Sequence, residues 1–342
     1  MIRIFLTLSV LLSFLIAFNA CDHQATSKTI KATPETIDSL LKAHPDSVQL
    51  LVFRGNLAFK EYNFMEALVD AAKAFRLDSS NIEARMLYAQ VQNNKPTKTV
   101  ADVAIAQRHF KYIVSKQPKN TTALVALAST YAYQQDFEKA FLYVDRALMA
   151  DPKYRDAYVL KGSMFLLMEK VDLAKSSYET AVQQDPTFYE AYLRLGSIYQ
   201  AEGDTICFEY YTTAYKLQPK NPEVIYTLAY ANQSFNRFKK AKNLYRVMIQ
   251  KDTSEYYVSR GLFHLAYIQQ FHDKNLDSAI YYYSSAIETN DGYVEAYHNR
   301  GVCYEDKGDI PNAMKNFSTA LAIDPNFELS RKVAEKHRAL DE

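Results

Sequence analysis

Between residues 48 and 327 one pattern of small, bulky and polar positions recurs about every 34 residues. Pro118, Pro152, Pro186 and Pro219 stand 34, 34 and 33 residues apart, and Pro325 follows 106 residues later, close to three further periods. With each proline set at position 32 of its unit, Ala140, Ala174, Ala241 and Ala313 fall at position 20, and Ala147, Ala181 and Ala320 at position 27. Tyr178, Tyr245 and Phe317 fall at position 24, while Gly55, Gly162, Gly196 and Gly301 share position 8, with Ala128 and Ala229 in place of glycine in two other units. Self-similarity at this length predicts a stack of helical hairpins. Two antiparallel helices approach closely only where the facing side chains are small, so positions 8 and 20 demand Gly or Ala and the bulky positions fill the space beside them. Asp-Pro at 151–152, 185–186 and 324–325 ends the second helix of its unit, because the residue before proline is pushed out of the α region. Each hairpin alone leaves an apolar face in water; the next hairpin covers it, so the predicted core is a column with no single centre.

The units DAYVLKGSMF…LAKSSYETAVQQDP, EAYLRLGSIY and EAYHNRGVCY…NAMKNFSTALAIDP resemble the tetratricopeptide repeat, whose pattern asks for a bulky residue at 4, Leu-Gly at 7 and 8, Tyr at 11, Ala at 20, Phe at 24, Ala at 27 and Pro at 32. Tyr158, Tyr192 and Tyr297 stand where that family often has Trp. The resemblance implies an all-α, right-handed α-solenoid of about eight helix-turn-helix repeats: 48–81, 82–120, 121–154, 155–188, 189–221, 222–255, 256–293 and 294–327. The second and seventh are longer, which places Asn93 to Lys98 and His272 to Asn275 between their helices. Residues 34–47 then supply an N-terminal capping helix and the Lys/Arg-rich segment 328–342 a C-terminal one.

In this family the first helices of the repeats line a concave groove. Carried over by position, the resemblance puts Tyr133, Val159, Leu193, Tyr226, Tyr230 and His298 in that groove, with ordinary packing between repeats as the alternative for Tyr226 and Tyr230. Such a floor suits an extended peptide or a partner helix with apolar anchors, so the implied partner is a protein; a glycan-binding surface lipoprotein is the alternative, against which the absence of Trp counts. Family members that clamp chaperone C-termini carry Lys at position 5 and Asn at 9; here Asn56 is present but Val52 replaces the lysine. Arg237, Lys239, Lys240, Lys242 and Arg246 gather on one second helix, expected to be a solvated convex face.

Composition narrows function further. Only 8 Gly and 10 Pro occur in 342 residues, against roughly 24 and 17 at average usage, and no GxGxxG or GxxxxGK[ST] loop is present. No cofactor is therefore expected. No HExxH spacing, nucleophile elbow or DxDxDG loop occurs, so neither a catalytic residue nor a metal site is assigned, and the chain is read as a non-enzyme. Beyond residue 20 the chain carries 39 Lys+Arg and 39 Asp+Glu, a balance that offers no electrostatic case for nucleic acid.

The N-terminus has a separate logic. Met1-Ile2-Arg3 leads into a short apolar run from Ile4 to Phe18, followed by Phe18-Asn19-Ala20-Cys21. This resembles a bacterial lipoprotein signal, with residues 1–20 removed, lipid on Cys21 and residues 21–33 as a tether. Ordinary signal cleavage and an uncleaved anchor are the alternatives. The implied location is the bacterial cell envelope, facing the periplasm, with the outer membrane favoured. Cys207 and Cys303 occupy packing positions in different units and are expected to be core thiols.

Overall fold

The computed structural model describes residues 34–61, 63–251 and 254–341. The signal segment, Cys21 and the tether at 21–33 lie outside the described residues. Within them every regular element is an α-helix. The chain divides into two compact units, residues 1–97 and 98–342, so the second of the expected repeats, 82–120, is split between them.

The first unit contains α1 (Pro34–Ala43), α2 (Val48–Lys60), α3 (Phe64–Leu77) and α4 (Ile82–Asn94). Ser47, Asn63 and Asn81 cap the last three by accepting a backbone N–H of the first turn. Ile37 and Leu41 of α1 share a core cluster with Leu50, Leu51, Ala74 and Ala84. At position 8 a Cβ on Gly55 would stand 2.7 Å from a Leu87 methyl, so a side chain there would force Leu87 to shift. Beside it the guanidinium of Arg54 donates to both oxygens of buried Asp70, at 2.7 and 2.8 Å, and to Asp38 at 2.8 Å.

The second unit opens with α5 (Val100–Lys116), whose first turn carries a capping box between Thr99 and Asp102. Six hairpins follow: α6 (Thr121–Tyr133) with α7 (Phe137–Ala150), α8 (Arg155–Leu167) with α9 (Val171–Gln184), and α10 (Tyr189–Ala201) with α11 (Cys207–Leu217). Next come α12 (Pro222–Ser234) with α13 (Phe238–Lys251), α14 (Glu255–Phe271) with α15 (Leu276–Thr289), and α16 (Val294–Asp306) with α17 (Ile310–Ile323); α18 (Glu328–Asp341) closes the stack. The alanines at positions 20 and 27 are fully buried, as are Tyr178, Tyr245 and Phe317 at 24. Cβ atoms on Gly162, Gly196 and Gly301 would stand 2.8, 2.5 and 2.7 Å from the rings of Tyr178, Tyr211 and Phe317. Cys207 replaces the alanine of position 20 and is fully buried, as is Cys303; both are free thiols, and burial pushes the Cys303 thiol up to about 12.

Turn chemistry explains the Asp of Asp-Pro as well as the Pro. Asp151, Asp185 and Asp324 each accept, at 2.9 Å, the backbone N–H two residues on, and the same side-chain-to-backbone turn recurs through the amide oxygen of Asn290 at 3.1 Å. Gly203 and Gly308 adopt φ of +74° and +78° in the turns inside their hairpins, where the left-handed region favours glycine.

The extra length of the long repeats lies mainly in helices and less in the turns than the sequence suggests. α14 runs 17 residues where the other first helices of this unit run 13, and α5 likewise runs 17. Ala266 of α14 takes the place of Gly196 and Ala229. Gln270, four residues after it, accepts from the Tyr283 hydroxyl at 2.9 Å, as Gln200 and Gln233, four residues after Gly196 and Ala229, accept from Tyr211 at 2.8 Å and Tyr245 at 3.0 Å. Gly261 sits in the second turn of α14 and faces Met248 and Ile249 of α13.

Candidate partner-binding groove

Within the second unit, the first helices of successive hairpins pack against each other, α6 with α8, α10 with α12, α12 with α14 and α14 with α16, in addition to their contacts with second helices. That crowding puts α6, α8, α10, α12, α14 and α16 side by side on one face. Tyr133 stands there 45% exposed, with the Lys98 ammonium 4.9 Å above its ring. Val159 and Leu193 are half-buried against core clusters of their own hairpins, so each offers an edge and not a whole side chain.

The densest part of the face lies where α12 meets α14. Tyr226 and Tyr230, one turn apart, stack with centroids 6.2 Å apart and planes 11° apart. Tyr230 is 45% exposed, whereas Tyr226 is half-buried and shares its hydroxyl with His264 Nε2 at 2.9 Å. The His264 ring also lies parallel to Tyr245, 5.2 Å away, and edge-on to Phe263. Burial, reinforced by the charge of Arg260, pushes His264 down to about 4, so it is neutral at pH 7, and its Nδ1 is buried with no hydrogen-bond partner. Burial likewise raises Tyr226, which keeps its proton. The pair is thus a neutral hydroxyl–imidazole contact that fixes ring orientation without adding charge to the floor. Further along α14, Tyr267 and Phe271 pack 4.5 Å apart and both are exposed.

His298 departs from the groove assignment. It is buried, its Nδ1 shares a hydrogen bond with Ser330 Oγ at 3.0 Å, and its ring packs near Phe317 and Phe327. Ser330 belongs to α18, so the closing helix covers the position that the repeat pattern would leave open. His298 is a packing residue at the end of the stack.

Tyr256, Arg260, His264, Tyr267 and Phe271 were missed because a unit boundary at 256 misplaces the register of α14. A signal existed: Leu228-Ala229-Tyr230-Ala231-Asn232-Gln233 and Leu265-Ala266-Tyr267-Ile268-Gln269-Gln270 share Leu-Ala-Tyr-x-x-Gln, which equates Tyr230 with Tyr267. Among the described residues, no group of three or more His, Cys, Asp or Glu is placed to hold a metal ion, and no helix is long and apolar enough to cross a membrane.

Comparison with known proteins agrees with this architecture. Tetratricopeptide repeat models match residues 100–157, 156–188 and 294–327. A stretch of 57 residues is 35% identical to Hsp70-Hsp90 organizing protein 3 of Arabidopsis thaliana, covering 17% of this chain and 10% of that protein. The fold superposes on a chain of the APC/C hetero-tetramer Cut9-Hcn1 with a TM-score of 0.56 at 18% identity, over 88% of this chain and 58% of the other. It superposes on the human IFIT1 dimer solved with PPP-AAAA with a TM-score of 0.56 at 17% identity, over 85% and 78% of the two chains. At these identities the structural likeness concerns the fold alone. The chain is an all-α stack of helical hairpins that carries tetratricopeptide repeats at residues 100–188 and 294–327.

Proposed function

We propose that this protein is a membrane-anchored scaffold that captures a protein partner on the first-helix face of its second unit. The observation that carries the reading is the aromatic floor at α12 and α14. Tyr230, Tyr267 and Phe271 remain exposed on a face that the solenoid holds rigid, although a chain of this composition has ample core in which to bury them. Aromatic side chains supply large contact area at low entropic cost, and a pre-ordered surface loses little freedom on binding. No catalytic residue, cofactor or metal enters this reading. The near-neutral charge of the chain favours protein over nucleic acid as the ligand.

The anchor rests on the Ala20-Cys21 pattern after a short apolar run. Two or more acyl chains on Cys21 would hold the protein stably, since one chain binds only marginally. The tether 21–33 would then let the solenoid present its groove near the membrane, in cell-envelope assembly, secretion or wall remodelling. One experiment addresses both parts: chemical crosslinking in envelope fractions of wild type, Cys21→Ser and Tyr226→Ala/Tyr230→Ala. Cys21→Ser is expected to leave the membrane fraction, and the tyrosine variant to stay there but lose a crosslinked partner. Membrane retention of Cys21→Ser would remove the anchor, and identical adducts in wild type and the tyrosine variant would remove the groove.

A further inference from the structure

The same face holds a cation that forms no ion pair among the described residues. Arg260 stands in the second turn of α14, half-buried, and the groups acting on it among the described residues are Tyr226, Tyr256 and Tyr293, with no carboxylate among them. Its guanidinium carbon is 4.5 Å from the centre of the Tyr256 ring. Tyr226 comes from α12, Tyr256 from α14, and Tyr293 is the N-cap of α16, so three consecutive first helices frame one guanidinium with phenol rings.

Arg54 and Arg155 are treated differently, whereas Arg237 and Arg300, like Arg260, lie over aromatic rings. Arg54 is gripped by Asp70 and Asp38, and Arg155 pairs with Asp185. Arg260 has lost part of its hydration to aromatic neighbours and pairs with no carboxylate among the described residues, an arrangement that strengthens the attraction for an incoming carboxylate. A guanidinium offers two parallel N–H donors that match a carboxylate fork. His264, one turn further along α14, is neutral and adds no charge beside Arg260, while the Glu295 carboxylate acts on Tyr293 at the edge of the cluster. Tyr230 on α12 and Tyr256 on α14 are 45% and 55% exposed, one on each side of the arginine, and form two shelves for residues before and after the acid.

We infer that Arg260 anchors an aspartate or glutamate side chain inside an extended peptide whose neighbouring apolar residues lie on Tyr230 and Tyr256. The inference rests on reading this face as a peptide groove and adds the chemistry of its ligand. Shelves on both sides call for a chain that continues in both directions, which selects an internal acidic side chain over a terminal carboxylate.

The test is panning of a displayed random dodecapeptide library, fused so that no free C-terminus is offered, against the full protein. Enriched sequences are then made as amidated peptides, and binding is measured by fluorescence anisotropy to wild type, Arg260→Met, Arg260→Gln and Tyr226→Ala/Tyr230→Ala, each checked for native helicity. The expected result is a shared Asp or Glu beside aromatic or aliphatic residues. Its change to Asn or Gln weakens binding at least tenfold to wild type and less than twofold to either Arg260 variant. Enriched peptides without a shared acid, or an equal loss on wild type and the Arg260 variants, overturn the inference and leave the groove standing. Peptides that bind the tyrosine variant as tightly as wild type overturn the groove reading itself, and the absence of any enriched peptide overturns both.

Discussion

Gly196 and Gly203 lie seven residues apart and are glycine for different reasons. A methyl on Gly196 would sit 2.5 Å from the ring of Tyr211, which is itself 1% exposed and cannot swing away, whereas nothing lies within 4 Å of Gly203 and only its φ of +74° constrains it. Gly196→Ala should therefore cost about 1–3 kcal/mol as an overpacking substitution, read as a lowered midpoint in urea, and Gly203→Ala about 1 kcal/mol or less. Equal effects would show that helix approach is not what position 8 protects. His264 gives a pH signature. Its folded value near 4 lies below the usual 6.5, so the unfolded chain binds the proton more readily. Its neutral burial costs nothing above pH 6.5, and stability is lost as pH falls toward 4, by about 2–3 kcal/mol at pH 4.5. His264→Asn should flatten the melting temperature across that window relative to wild type; parallel profiles would place the acid sensitivity elsewhere. Position 8 was legible because sterics act on a single residue type. The environment of His264 was not, since it depends on Tyr226 and Tyr245 from another hairpin.

Between the two helices of a hairpin, a recurring polar contact locks the register that the alanines permit. Tyr211, Tyr245 and Tyr283 each donate to a glutamine of their own hairpin's first helix. Gln270 is buried at 4% exposure, while Gln200 is half-buried and also donates to Ser234. Replacing Tyr by Phe leaves the Gln270 oxygen without partner or water, a loss of about 1–3 kcal/mol, but lets Gln200 turn to solvent. Tyr283→Phe should thus destabilise more than Tyr211→Phe in thermal unfolding, and the reverse order would contradict the assigned role. Hairpin boundaries were readable from proline and alanine spacing, because the second-helix ends at Asp151, Asp185, Asn290 and Asp324 share one turn chemistry. The added length in α14 was not placed correctly, since a helix lengthened by one turn keeps its amphipathic period and shows no break. Likewise His298 fits the repeat pattern, and only the docking of α18 through Ser330 and Phe327 buries it.

For the whole molecule, the sequence pattern predicts one array of about eight repeats, and the structure divides the chain at residue 97 into two compact units. The second unit alone holds six consecutive hairpins and the aromatic part of the groove, so a partner-binding role does not depend on the first. Nearest-neighbour stacking makes such a unit locally cooperative and keeps its inner face in one arrangement, which is what a docking surface requires. Exposed tyrosines on the two sides of the stack permit a direct comparison: Tyr230 on first helix α12 is 45% exposed and Tyr281 on second helix α15 is 66% exposed. The decisive measurement is site-specific photocrosslinking in living cells, with benzoylphenylalanine at position 230 or position 281. A discrete protein adduct at 230 that is absent at 281, despite the greater exposure there, is the predicted result. No adduct at 230, or the same adducts at both positions, would contradict capture on the first-helix face.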